Sequence, residues 1–453
     1  MTIATTTTSS GSTAVGADST PSAAAGSLRA GRLEFLDALR GVAALTVATQ
    51  HFAERSWFSY FRFSEGVIRP GELGVLLFFL CSGFIIPASL ERHHDLRRFW
   101  VGRFFRLFPL YWTAVAAALL LHALVVSPLR RFPLDRDYLA QPVLSTVANL
   151  TSVQQFLRLP HAGAPALVIG ASWSLAYEMA FYVIVSLLFL VGRHRSSVPM
   201  ATALLVGAVV VGSWVPAYLI THPTRPGWML AAAATMGLAL AVVGRVEPRH
   251  RPAAVLLCAL LVPTVLNRPD PLWFSALLFG SMFTGTVMHR WTVGDVSGRV
   301  AAWVFGGALL AVTCCLLVQV GPHREPLTGA TVDWWHPELE TFAGAYLIFG
   351  LALLLRHRRF PRPLVRLGTI SYSLYLVHPV VLEVLPRLPG RSAGARWSNL
   401  LVGVAVSVLV SELTYRAVEQ PGIRLGRRVA GRLGRKEAAD ERAAEAVAEH
   451  AAP

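Results

Sequence analysis

Long apolar runs, punctuated by arginine, proline and glycine, set the pattern of this chain. They fall near residues 36–52, 73–90, 107–126, 173–191, 199–220, 228–244, 253–266, 272–289, 301–320, 341–355, 369–386 and 398–417. A helix needs about 17–25 mostly apolar residues to cross a bilayer. The pattern therefore predicts an all-α fold, a polytopic integral membrane helical bundle with 10–12 transmembrane helices. The range reflects the run at 253–266, which is short enough to be re-entrant.

The first run departs from the rest. L-D-A-L-R-G-V-A-A-L-T-V-A-T-Q-H-F, from Leu36 to Phe52, carries Asp37, Arg40, Gln50 and His51 among its apolar residues. An arginine inside such a segment costs roughly 2.5–3.5 kcal/mol on insertion scales and is expected to face a protein interior or a watery cavity. Arg40 and His51 are eleven residues apart, about three helical turns and about 16 Å of rise, which puts them on one stripe at different depths. That stripe reads as a polar line entering the membrane from the cytoplasmic side.

Composition agrees with a membrane protein. Of 453 residues 54% are hydrophobic and 15% charged, far from the average of soluble domains. The formal net charge of +15 sits in short clusters between apolar runs, as positive-inside topology places it, rather than in a nucleic-acid-binding surface. The densest such cluster in the first half is R-H-H-D-L-R-R-F-W-V-G-R-F-F-R, Arg92 to Arg106, read as a cytoplasmic loop ahead of a helix from Leu107 to Val126. Both termini are then cytoplasmic in a multi-pass inner (plasma) membrane protein. Cys81, Cys258, Cys314 and Cys315 lie inside apolar runs and give neither a disulfide framework nor metal-ligand spacing. Residues 1–30, rich in Ser, Thr, Ala and Gly, read as a disordered leader. Residues 31–421 form the transmembrane domain, and 422–453 a basic, then Ala/Glu-rich cytoplasmic tail. A long loop to about Gly170 carries Arg158 and His161.

Other polar residues sit at apolar places. Glu178 lies inside the run that opens at Trp173, where a carboxylate needs a partner such as an arginine or His51. Arg103 and Arg106 stand at i and i+3, so both can face one ligand, and arginine clamps phosphate oxygens with paired hydrogen bonds. Gly83, in the Ser82-Gly83-Phe84 step, suits close helix contact. Tyr372, Ser373 and His378 line a late helix. His378 stands before Pro379, at an outer helix break, and reads first as structural. Asp37 and Glu419 are expected to pair with nearby arginines.

The order of motifs resembles the membrane-bound acyltransferase family 3. It comprises F-L-D-A-L-R-G-V-A-A-L with His51 behind it, G-V-L-L-F-F-L-C-S-G-F-I-I, R-F-F-R-L-F-P-L-Y-W, W-S-L-A-Y-E-M-A-F-Y, I-S-Y-S-L-Y-L-V-H-P and V-E-Q-P, across residues 33 to 421. The resemblance implies an integral membrane O-acyltransferase that moves an acyl group from cytoplasmic acyl-CoA to a hydroxyl of a sugar, glycan or macrolide-type acceptor, with no metal. The family's Arg-x10-His pattern falls on Arg40 and His51, and its Arg-x-x-Arg pattern on Arg103 and Arg106. Catalytic roles are then expected at His51, Arg40 and Glu178, and acyl-CoA binding at Arg103 and Arg106. Two positions depart from the family, Leu76 and Met179, where acidic residues are frequent. A neutral imidazole can take the proton of an attacking alcohol, and a fixed cation can hold the donor or polarise its carbonyl. The competing expectation is a transporter or flippase in which Arg40, Glu178 and His51 line a substrate path.

Overall fold

A computed structural model describes residues 34–57, 60, 64, 66–121, 123–124, 141–152, 156, 168–212, 227–268, 270–319, 335–385 and 392–450. The expected leader, and Arg158 and His161 of the long loop, lie outside the described residues. Those described are almost wholly helical, with no strand among them. In chain order the helices are α1 (Glu34–Ser56), α2 (Pro70–His93), α3 (Leu96–Leu121), α4 (Pro142–Thr151), α5 (Trp173–Leu190), α6 (Ser197–Val211), α7 (Gly227–Val243), α8 (Arg251–Leu266), α9 (Leu272–Val293), α10 (Gly298–Gln319), α11 (Trp335–Leu354), α12 (Arg362–Thr369), α13 (Ser371–Val384), α14 (Ala393–Thr414) and α15 (Gln420–His450).

Among the described residues eight helices are long and apolar enough to cross a membrane, and the protein is a multi-pass membrane protein. The bent pair α12–α13 makes a ninth candidate span. α1 has the length but too many polar residues, and α6 and α7 are shorter apolar helices of 15 and 17 residues. Counted together, these match the twelve apolar runs.

Three boundaries differ from the sequence reading. α3 starts at Leu96, not Leu107, because the Asp95 carboxylate accepts from the Arg98 backbone N–H at 2.9 Å and so satisfies one of the orphan donors of the first turn. Arg97, Arg98, Arg103 and Arg106 are therefore helical rather than in a loop. The run at 253–266 is extended by a 3₁₀ turn at Pro248–His250 into a helical segment of 19 residues, long enough to span. The broken element is instead α12–α13, bent by 72°. The bend falls at Ile370, whose N–H closes the end of α12 on the Arg366 carbonyl (3.2 Å), and α13 continues through Pro379 to Val384, with no helix break there.

Small residues set the tightest crossings. A Cβ at Gly83 of α2 would stand 1.7 Å from the Met282 carbonyl oxygen, and one at Gly285 of α9 would stand 2.2 Å from that of Leu80. The two backbones pack directly on each other, and the Thr286 hydroxyl donates to the Gly83 carbonyl across the contact (2.8 Å). Gly41 and Gly368 bring α1 and α12 together in the same way.

α1 and α2 run antiparallel. Gln50, near the end of α1, accepts from the Gly71 N–H at the start of α2, and Ala43 meets Gly74 one turn further on. The end of the bundle where α1 begins is termed basal, and the other distal. α12 lies basally against Asp37, and α13 rises from it to reach His51. After α14, a π-helical turn at Tyr415–Glu419 carries the chain into α15, which packs along Phe105 of α3. A continuous hydrophobic core through α2, α3, α5, α9, α10 and α11 holds this frame.

Candidate functional site

Two polar centres lie along the inner face of α1. The distal one is built on His51, half-buried near the end of α1, and His378, wholly buried on α13. Their ring nitrogens, Nδ1 of His51 and Nε2 of His378, are 3.0 Å apart. The planes differ by 11° and the centroids are 5.2 Å apart. That separation is near the largest that a 3.0 Å nitrogen contact allows, so the rings meet edge to edge in a hydrogen bond and not face to face. The other His378 nitrogen, Nδ1, lies 2.9 Å from the Leu374 carbonyl oxygen. Tyr375, its ring 6.0 Å from that of His378, donates its hydroxyl to the Ala171 carbonyl (2.8 Å) and meets the Ser174 hydroxyl at 2.7 Å. This ties α13 to the start of α5.

The rim of the distal end carries a second polar group. Tyr177 donates to Asp270 at 2.7 Å, and its oxygen lies 2.9 Å from the Ser275 hydroxyl. Burial in the α8–α9 loop pushes the Asp270 carboxyl above the usual carboxylate range, against the lowering effect of the Tyr177 hydrogen bond and of Arg268.

The second centre lies nearer the basal end. Glu178 of α5 accepts from the Tyr182 hydroxyl one turn on (2.6 Å) and from the Ser82 hydroxyl of α2 (3.2 Å). Arg40 stands within electrostatic reach of Glu178, Arg106 and Asp37. It lies deep among neighbouring side chains yet keeps accessible surface, and no hydrogen bond or ion pair from a described residue reaches its guanidinium. Arg103 lies over the rings of Phe99 and Tyr182, 5.4 Å from each centroid. Arg106 is within electrostatic reach of Arg40, Asp37 and Glu419. Glu419, on the π-helical turn, accepts from Ser373 at 2.6 Å, and Tyr372 donates to the Leu107 carbonyl at 2.9 Å.

Four of the five expected site residues thus share one centre, and His51 does not. Arg40, Glu178, Arg103 and Arg106 converge at the basal side, with Glu178 held by two hydroxyls and not by His51. The expected ion pairs of Asp37 and Glu419 are absent among the described residues. Asp37 stays within reach of Arg40 and Arg106 without contact, and Glu419 bonds to Ser373. Between the two centres the stripe of α1 is filled. Ala44 and Ala48, fully buried, pack with Leu374 and the half-buried Phe78.

The residue that sequence reasoning did not bring to His51 is His378. Its contact with His51 joins positions 327 apart in the chain, and no local pattern announces it. The available signal was a histidine in a long apolar run where the only polar neighbours are its own helix partners. Among the described residues no cluster of three or more His, Cys, Asp or Glu side chains is placed to hold a metal ion.

Comparison with known proteins adds an independent line. A family model described as an acyltransferase domain matches residues 33–416. The acyltransferase MdmB of Streptomyces mycarofaciens is 26% identical over 430 residues, covering 88% of this chain and 93% of that one. YrhL of Bacillus subtilis (strain 168), whose name proposes peptidoglycan O-acetyl transfer, is 25% identical over 413 residues, 85% of this chain but 54% of its own length. Nodulation protein 10 of Rhizobium leguminosarum bv. viciae is 25% identical over 367 residues, 78% and 82% of the two chains.

Proposed function

Because the chain belongs to the acyltransferase family whose model spans residues 33–416 and is a membrane O-acyltransferase, we propose that it transfers the acyl group of acyl-CoA to a hydroxyl of a carbohydrate or glycosylated acceptor. The basal end is the cytoplasmic face of the plasma membrane in this reading. Arg92, Arg97, Arg358, Arg362 and Arg424 cluster there, as inner loops and tails do.

The observation that carries the proposal is a division of labour along α1. A guanidinium without a described ion pair lies at one depth, and an imidazole with an accessible edge lies about 16 Å away along the helix. Acyl-CoA carries several phosphates, and Arg103 and Arg106 offer two planar forks for them at the basal mouth. Arg40 then meets the donor further in. The separation along α1 leaves Arg40 too far from His51 to touch the same carbonyl, so its role is to hold the donor arm. An arm running along α1 meets Phe78 and Leu374, and their displacement belongs to donor binding. Glu178, held by Ser82 and Tyr182, places a fixed negative charge near Arg40 and so keeps that cation oriented.

At the distal centre His51 acts as general base. The acceptor hydroxyl gives its proton to the imidazole as its oxygen attacks the thioester carbonyl. The tetrahedral intermediate collapses, the C–S bond breaks, and the departing thiolate takes the proton back from the imidazolium. The products are an O-acyl ester and free CoA.

The test is reconstitution in lipid nanodiscs with radiolabelled acyl-CoA and a panel of glycans and glycosides. The proposal expects acceptor-dependent release of free thiol together with label in the acceptor. Label transfer from an acyl donor other than CoA, with none from acyl-CoA, would overturn the donor assignment.

A further inference from the structure

We infer that His378 is a positioning residue: it fixes the proton of His51 on Nδ1 and thereby presents a bare Nε2 to the acceptor hydroxyl. The inference rests on the reading of His51 as general base.

A backbone carbonyl only accepts, so the His378 nitrogen 2.9 Å from the Leu374 oxygen, Nδ1, carries a hydrogen. His378 is wholly buried with no described carboxylate in contact, and a charge there would be unpaired in a medium that solvates it poorly. The ring is therefore neutral, and its Nε2 holds a lone pair. That lone pair lies 3.0 Å from His51 Nδ1, in the plane of both rings. His51 Nδ1 is then the donor, and a neutral His51 has its remaining lone pair on Nε2, the nitrogen turned away from His378.

Isolated histidine prefers the opposite tautomer, with the hydrogen on Nε2. The protein must override this preference, and an acceptor fixed by its own hydrogen bond does so. The arrangement carries a carbonyl's one-way character through two imidazoles to the reacting nitrogen. When His51 takes the acceptor proton on Nε2, its Nδ1–H remains bonded to His378, and the Nε2–H then passes to the thiolate. His378 neither gains nor loses a proton. It also explains why the edge-on geometry recruits α13 across the whole length of the sequence and why Tyr375 and Ser174 pin that helix in place.

The experiment uses the full-length protein in bilayers with ¹⁵N-labelled histidine. His51→Gln identifies the His51 signals by difference, and no substrate is present. Nδ1 of His51 is expected protonated and Nε2 unprotonated. In His378→Leu the population moves to the Nε2–H form and kcat falls about a hundredfold or more with the donor KM unchanged. His378→Gln, whose carbonyl can accept from His51, keeps the Nδ1–H form and most of the rate. An Nε2–H tautomer in the unaltered protein overturns the inference. So does an undiminished kcat in His378→Leu. If instead His51→Gln retains full activity, the general-base reading fails, and the tautomer measurement still reports on His378 by itself.

Discussion

Replacing Arg103 with methionine tests the proposed donor grip apart from the rest of the site. The methionine keeps an unbranched apolar stem over Phe99 and Tyr182, where the guanidinium now lies 5.4 Å from each ring centroid, so packing is largely preserved. What disappears is a cation with no described carboxylate partner, and hence any charge-assisted bonds to the donor phosphates. Such bonds are worth about 1.5–3 kcal/mol, which converts to roughly a 10- to 150-fold rise in the KM for acyl-CoA. The phosphates lie far from the thioester, so binding is lost equally from ground and transition states and kcat should hold. Arg103→Lys keeps the charge without the fork and should fall between. The assay is thiol release in nanodiscs at varied acyl-CoA, repeated with acyl-pantetheine, which lacks the nucleotide phosphates. The reasoning is refuted if KM for acyl-CoA is unchanged, or if Arg103→Met weakens acyl-pantetheine by the same factor.

Three further predictions concern the frame. Gly83→Val forces a side chain into the Met282 carbonyl and should cost at least about 1–3 kcal/mol of stability, seen as a lower unfolding temperature in detergent; an unchanged temperature would mean α2 and α9 are not in backbone contact. Arg290, 3% exposed, pairs with Glu91, lies 3.5 Å from Asp295 and donates to the His194 carbonyl at 2.6 Å. Arg290→Met leaves Glu91 without that partner and should cost about 3–5 kcal/mol. Arg290→Met combined with Glu91→Gln should recover part of the loss by the same thermal measurement. Asp270 has a folded-state pKa raised above the ordinary 3.8 by burial, so between those two values the folded state binds more proton than the unfolded one. Stability from this group then decreases as pH rises through that window. Asp270→Asn, which keeps an acceptor for Tyr177, should remove this dependence from unfolding curves, and a slope identical to the unaltered protein would contradict it.

Much of this was legible in the sequence because local pattern decides it. Among the described residues each of the twelve apolar runs carries a helix, and the Trp173 opening of α5 fell where the motif begins. Gly83 marked a close crossing because only a missing side chain lets two backbones meet. The Tyr182 bond to Glu178 is a one-turn contact and could have been read from the spacing. The start of α3 was missed because a dense arginine cluster looks like a loop, while the Asp95 cap that begins the helix is a single residue among them. The 72° bend at Ile370 was missed because α12 before it, R-P-L-V-R-L-G-T with Arg362 and Arg366, lies outside the apolar run and reads as loop. The partition of the site into two centres was illegible for a different reason. Arg40 and His51 share a helix face, but Leu374 and Phe78, which close the space between them, come from two other helices. Long-range packing of that kind leaves no mark at either position.

The central claim is that His51 takes the proton of the attacking hydroxyl. The most direct measurement is single-turnover acyl transfer from saturating acyl-CoA to a hydroxyl acceptor, comparing the unaltered protein with His51→Gln across pH. The account predicts that His51→Gln lowers the chemical rate by about 10²–10⁴-fold, the usual worth of a general base. A His51→Gln rate equal to that of the unaltered protein, with the same pH profile, would contradict it.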